Sequence, residues 1–182
     1  MKEIMIVLSL MILSCNTMKT TVNKEKFNYD SGKKGRRITF ETSLDCPAEE
    51  IWKMYERPEG WLENLNPSAK LKWKKKKDSI NSWSLNKDYA FSLYMYGFIP
   101  FGKHYISFED IDSVRFSMQS KEHGFMVPHW DNLFQIIPTS DSTCKIKDVL
   151  EIQSNGINGI VASYAVDVFK AKHKKLGKKF NS

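Results

Sequence analysis

The stretch Arg36–Trp52, RRITFETSLDCPAEEIW, decides the fold because its periodicity changes in the middle. From Arg36 to Leu44 the residues alternate, with Ile38, Phe40, Thr42 and Leu44 on one face, as in a strand buried on one side. Asp45-Cys46-Pro47-Ala48-Glu49-Glu50 then offers a capping aspartate, a proline suited to a first helical turn and two acids near the positive end of a helix. The spacing predicts a helix from about Pro47 to Tyr55, with Ile51, Trp52 and Tyr55 on its apolar side. Arg57-Pro58-Glu59-Gly60 breaks it, and a second short helix, Trp61 to Leu65, stops at Asn66-Pro67.

Downstream, strand-like segments alternate with turn residues such as Asn86-Lys87-Asp88, Pro100-Phe101-Gly102, Lys121 to Gly124 and Ser140-Asp141-Ser142. Strands are expected near Leu71 to Lys76, Ser84 to Gly97 with an interruption, Lys103 to Glu109, Val114 to Ser120, Pro128 to Pro138 and Thr143 to Gln153. With the first strand they make an antiparallel sheet of about seven strands. After Asn155-Gly156 the period becomes helical: Ile157, Ile160, Val161, Tyr164, Ala165, Val168 and Leu176 take one face, and Asp167, Lys170, Lys174, Lys175 and Lys178 the other. A long amphipathic helix closes the chain. The class is α+β, and 182 residues with 41% apolar content suffice for one cored domain.

Upstream, Met1-Lys2-Glu3 precedes an apolar run from Ile4 to Leu13 and then Ser14-Cys15-Asn16. Ile12-Leu13-Ser14-Cys15 resembles a bacterial lipobox, which implies a signal peptide over residues 1–14, cleavage before Cys15 and a diacylglycerol on its thiol. Acyl chains on one residue hold a domain on a membrane, and no apolar run is long enough to span one. The implied location is the bacterial cell envelope, lipid-anchored. The alternative is a cytoplasmic protein whose translation starts at Met18. Residues 15–35, rich in Lys, Thr and Asn, read as a polar tether ahead of a domain over 36–182.

The net charge of +7 is concentrated in Lys70 to Lys77 and Lys170 to Lys179. Both clusters read first as solvating faces. Anionic lipid headgroups are the natural partner for an anchored domain, and nucleic acid is not expected, since no reader motif accompanies the lysines.

The order of strand, two short helices, antiparallel meander and long helix resembles the helix-grip superfamily, also called START-like or SRPBCC, in its polyketide cyclase/dehydrase-like branch. Asp45 to Trp52 is similar to that family's lead into its first helix. Arg57-Pro58-Glu59-Gly60-Trp61 with Asn66-Pro67, and Gly97-Phe98-Ile99-Pro100-Phe101-Gly102-Lys103-His104, resemble further family segments. Trp130 and Asp148 fit places on later strands. The resemblance covers about Arg36 to Phe180 and implies a curved sheet wrapped around the last helix, a cavity between them, and ligand binding or, in some members, cyclase or dehydratase chemistry. It also implies that the first and last strands are neighbours, which brings Cys46 close to Cys144 and makes a disulfide between them an expectation.

By alternation His104 shares a face with Ile106 and Phe108, Asn132 with Trp130 and Phe134, and Asp148 with Ile146 and Leu150, all towards the expected cavity. His104, Phe108, Phe116, Trp130, Asn132, Phe134, Asp148 and Tyr164 are therefore the candidate ligand-binding residues. His104 and Asp148 are the candidates for acid or base chemistry, since an inward carboxylate beside an imidazole can move a proton. A structural hydrogen bond or ligand orientation is the competing role. Asn132 stands where some cyclase-like relatives carry a histidine. His123 and His129 read as loop and strand-edge residues and His173 as part of the basic helix face. No cluster has metal-ligand spacing, so neither a metal nor another cofactor is expected. The reading is a membrane-anchored binder of an apolar small molecule or lipid. Its alternatives are a cyclase- or dehydratase-like enzyme and a surface-docking protein without a ligand.

Overall fold

The computed structural model describes residues 20–29, 32–65, 67–74 and 80–181. The signal peptide, Cys15 and Met18 lie outside the described residues. Strand β1 spans Thr21–Asn28 and β2 Lys34–Leu44. Two helices, α1 at Ala48–Tyr55 and α2 at Pro58–Leu65, lead to β3 at Ala69–Trp73. The meander continues through β4 (Tyr89–Met95), β5 (Ile99–Asp112), β6 (Ser117–Gly124), β7 (His129–Ser140) and β8 (Thr143–Gln153), and α3 closes the chain at Asn158–Phe180. All eight strands join one antiparallel sheet in the order β1-β2-β8-β7-β6-β5-β4-β3.

The expected strand count and the tether both need correction. Residues 21–28 of the supposed tether form β1, paired along its whole length with β2. An edge strand with one covered flank needs little apolar surface: only Val22 and Phe27 are half-buried, so no alternation shows in the sequence. Phe27 also lies under the Arg37 guanidinium, 4.3 Å from its ring centre.

The α1–α2 corner corrects two further expectations. Pro47, not Asp45, occupies the N-cap of α1, and no side chain caps it. The Asp45 amide instead donates to Oδ1 of Asn181 and ties the corner to the end of α3. Pro58 opens α2, where its missing N–H is harmless, so the second helix begins three residues earlier than expected. Gly60 lets the helices meet this closely: a Cβ there would stand 2.1 Å from the Met54 carbonyl oxygen.

Curvature comes from register shifts at Leu93/Tyr94, Phe108/Asp110 and Pro138/Ser140, each a local bulge that bends and twists its strand. The β4–β5 hairpin turns through Tyr96 (φ 50°) and Gly97 (φ 78°), with Phe98 N–H donating to Met95 O. Two central residues at positive φ match the right-handed twist of the flanking strands.

On the concave face Ile38, Phe40, Ile146 and Leu150 are buried from β2 and β8, Phe134 and Ile136 from β7, and Ile51 and Tyr55 from α1. Tyr55 stacks on Phe134 at 4.3 Å and Phe40 on Phe169 at 5.4 Å. Each such side chain favours the folded state by roughly 1.5–3 kcal/mol over exposure. The face of α3 differs from the helical pattern expected. Lys172 and His173 are buried with Ala165, Phe169 and Leu176, whereas Ile160 is 68% exposed. His173 therefore does not belong to the basic face.

Candidate functional site

Helix α3 packs directly on β2 and β8 and stands off the strands towards the other edge of the sheet. The gap is a cavity. Val161, Tyr164, Val168 and Phe169 of α3 form one wall; Trp61, Leu65, Ala69, Leu71, Leu93 and Met95 form the second; His104, Glu122, Val127 and Trp130 form the third. The cavity offers about 80 Å³ to the centre of a water-sized sphere. At roughly 10–15 Å³ per water, that is room for about 5–8 waters, or ~150–240 Å³ of liquid. A compact molecule of that bulk fits inside, and a longer chain must run out through the mouth. The lining is almost wholly carbon, which favours apolar guests.

The mouth is rimmed by apolar side chains left in solvent. Phe125 in the β6–β7 connection is 83% exposed, and Ile160 in the first turn of α3 also lines the cavity. Tyr164, deeper on α3, donates its hydroxyl to Ser68 O at 3.0 Å and packs edge-on against Tyr96 at 5.3 Å, joining helix, β3 and the β4–β5 hairpin.

A buried polar pair stands in the apolar wall, with Lys103, a solvent-exposed side chain, as the other charged lining residue. His104 on β5 is 7% exposed, and its Nε2 lies 2.7 Å from Oε2 of Glu122 on β6. Ser120 donates to the other oxygen of Glu122 at 2.8 Å. Because β6 runs on to Gly124, Ser120, Glu122 and Gly124 share the inward phase of the strand. The sequence reading ended this strand at Ser120 and so passed over Glu122, although the alternation continues through it.

A second polar cluster lies nearer the sheet, where β2, β7, β8 and α3 meet. Asp148 is fully buried, and both its oxygens accept from Lys172 Nζ at 2.9 Å. His173 Nε2 reaches Oδ2 at 2.9 Å, and Thr42 Oγ1 lies 2.9 Å from His173 Nδ1. Asn132 adds a long 3.5 Å contact to Oδ1. The Lys172 ammonium also sits over the rings of Tyr55, Phe134 and Phe169 at 4.6–5.0 Å. Burial alone would push the Asp148 carboxyl up, but Lys172 and the His173 hydrogen bond overcome it and hold the group below the usual carboxylate range. Burial lowers His173, partly offset by its bond to Asp148.

Of the candidate residues, His104, Trp130 and Tyr164 line the cavity. Phe108 and Phe134 belong to the core behind it, Phe108 against Trp83 at 4.7 Å. Phe116 sits in the β5–β6 turn with φ 49° and packs on Trp52 at 6.0 Å. Asn132 and Asp148 are buried together in the second cluster. His104 and Asp148 therefore do not form one acid–base pair: the partner of His104 is Glu122, and those of Asp148 are Lys172 and His173. The missed residue Lys172 had a legible signal, since it falls four before Leu176 and seven after Ala165 on the apolar stripe.

Cys46 and Cys144 lie near each other as expected, both as buried free thiols. Burial pushes the Cys144 thiol up to about 12, so it carries little thiolate for oxidation or alkylation.

Known structures resemble this arrangement at low identity. Protein Ms6760 from Mycobacterium smegmatis superposes with TM-score 0.61 at 11% identity, covering 87% of this chain and 96% of its own. A START superfamily protein from the same organism gives TM-score 0.60 at 11% identity, covering 80% and 97%. The Zhui aromatase/cyclase from Streptomyces sp. R1128 gives 0.56 at 11% identity, covering 78% and 93%. These establish the helix-grip fold. No curated protein matches the sequence. A family profile described as "Domain of unknown function (DUF8410)" matches residues 42–180, which span the strand β2 end, both short helices, the meander and α3. The chain therefore belongs to the DUF8410 family and carries it on a helix-grip fold.

Proposed function

We propose that this protein binds a hydrophobic small molecule in the cavity between the sheet and α3, while a lipid on Cys15 holds it at the bacterial cell envelope. The observation that carries the reading is the cavity itself: an open space with aliphatic and aromatic walls and an exposed apolar rim. Such a space favours a guest over a ligand-free docking role, because apolar surface left in water is unfavourable until something covers it. The solved neighbours include an aromatase/cyclase, a name that fits a ring-bearing guest.

The start of β1, which follows the proposed anchor in the chain, and the mouth fall at opposite ends of the sheet. Thr21 pairs with Glu41 near the end of β2, whereas the mouth lies by the start of α3, where Asn158 bonds to Lys34 O. Seven residues of strand separate Lys34 from Glu41, roughly 23 Å at 3.3 Å each.

The test is displacement of the neutral fluorophore N-phenyl-1-naphthylamine from the purified domain, with Ala69→Phe as a plug at the cavity wall. Saturable binding that Ala69→Phe abolishes, in a variant that still melts cooperatively, supports the reading; equal binding by both refutes the cavity as its site. For the anchor, Cys15→Ser is expected to move the protein from the membrane to the soluble fraction. One observation favours a second reading: the His104–Glu122 pair in the wall is an imidazole–carboxylate couple able to move a proton in a cyclase- or dehydratase-like step. Recovery of a chemically altered guest after incubation separates turnover from binding.

A further inference from the structure

We infer that the guest is a neutral alcohol or phenol, and that Nδ1 of His104 accepts the hydrogen of its hydroxyl; this deepens the binding reading above and rests on it. An ionised Glu122 can only accept, and it takes hydrogens from Ser120 Oγ and from His104 Nε2. In the neutral imidazole Nε2 then carries the hydrogen, and Nδ1 is left with a bare lone pair. Among the described residues Nδ1 has no hydrogen-bond partner, and His104, only 7% exposed, lines the cavity. An acceptor that faces an apolar cavity with no protein partner is a specific place for a donor carried by the guest.

The space in front of Nδ1 is kept open by a glycine. Gly124 pairs directly with His104 across β5 and β6, so a side chain there would project from the same inward face. Its Cβ would stand 3.6 Å from Nδ1 and 2.9 Å from the Lys103 carbonyl oxygen. Gly124 itself lines the cavity, and the missing side chain becomes cavity volume beside the lone pair.

The surroundings then select the class of polar group. The carboxylate of Glu122 in the same wall repels a carboxylate or phosphate brought beside Nδ1, and Lys103, the cation of the lining, is solvent-exposed on the opposite phase of β5. Both of its oxygens are already engaged, so a cationic amine would enter an apolar cavity without a free counter-charge, at a steep desolvation cost. A ketone or ether only accepts and meets another acceptor at Nδ1. A hydroxyl donates, carries no charge and leaves the rest of the guest to the apolar walls. The enclosed space suits a body the size of a substituted phenol or a ten-carbon alcohol.

Isothermal titration of the folded domain with 4-propylphenol, 4-propylanisole and propylbenzene tests this, since the three differ only at the polar end. The expected result is that the phenol binds about tenfold tighter than the ether, the size of one net hydrogen bond. In the double variant His104→Phe/Glu122→Gln, which leaves no unpaired charge, the preference is expected to fall within about twofold at the same scale. On the wild type, the Nδ1 resonance of His104 in ¹⁵N-labelled protein is expected to move with the phenol and not with the ether. Equal binding of phenol and ether, or a stationary Nδ1 resonance in the phenol complex, overturns the inference and leaves the cavity reading standing. Failure of all three probes to bind the folded protein overturns both.

Discussion

Replacing Lys172 by methionine removes the ammonium from a fully buried carboxylate and keeps most of the side-chain volume. Asp148 then retains only His173 and the long Asn132 contact for its charge. Breaking a buried ion pair from one side costs about 3–5 kcal/mol, because the remaining charge has lost its counter-ion without regaining water. For a domain of this size each kcal/mol lowers the melting temperature by about 2–4 °C, so the expected drop is ~6–20 °C. The double variant Asp148→Asn/Lys172→Met removes both charges and is expected to recover most of the loss, since a buried pair is worth little against a neutral one. Circular dichroism melts measure both. N-phenyl-1-naphthylamine binding should survive at temperatures where the single variant is folded, because the cluster lies behind the cavity wall. A single variant melting within about 2 °C of the wild type would refute the reasoning, as would one that melts normally and loses the probe.

Acid should weaken the fold partly through His173, whose proton affinity burial depresses in the folded state. A depressed group favours the fold above its unfolded value, near 6.5, and loses that advantage as pH falls below it; the difference in stability between wild type and His173→Gln is therefore expected to shrink from pH 7 to pH 5. The difference is the proper readout, because Asp131, raised by burial to about 6, acts with the opposite sign over the same window. Denatured protein, never exposed to reductant, is expected to take up two alkyl groups at Cys46 and Cys144, and native protein none over the same interval; mass spectrometry reads both. Deleting residues 1–32 removes β1, with the half-buried Val22 and Phe27, and exposes the edge of β2, and is expected to cost ~1–3 kcal/mol and promote aggregation, seen by melting and light scattering.

The parts of the fold legible in the sequence were those where one face is buried and the other wet. Strand β2, strand β8 and helix α3 each present a clean period, and β8 was placed at its observed limits, Thr143–Gln153. Strand β1 was hidden because an edge strand with two half-buried side chains has no period to read. The inward phase of β5 placed His104 in the cavity wall, but alternation says which face a residue takes and not how deep it lies. Asp148 and Asn132 share that face and end under α3, while His104 ends beside open space. The partners were obscured by chemistry that conflicts with burial statistics: a lysine and a glutamate rarely enter a core unless paired, and a histidine is only intermediate in its burial. Lys172 and His173 were read as surface for that reason, and Glu122 as part of a turn. Only the fold brings each to its partner across at least 18 positions of sequence.

The most direct test of the central claim is native mass spectrometry of the protein purified from its own host, followed by organic extraction and analysis of what is released. The account predicts a near-stoichiometric adduct, removed by organic solvent, whose extract contains an apolar molecule bearing a neutral hydroxyl. A folded protein that flies at its bare mass, with an extract no different from that of an Ala69→Phe control, would contradict it.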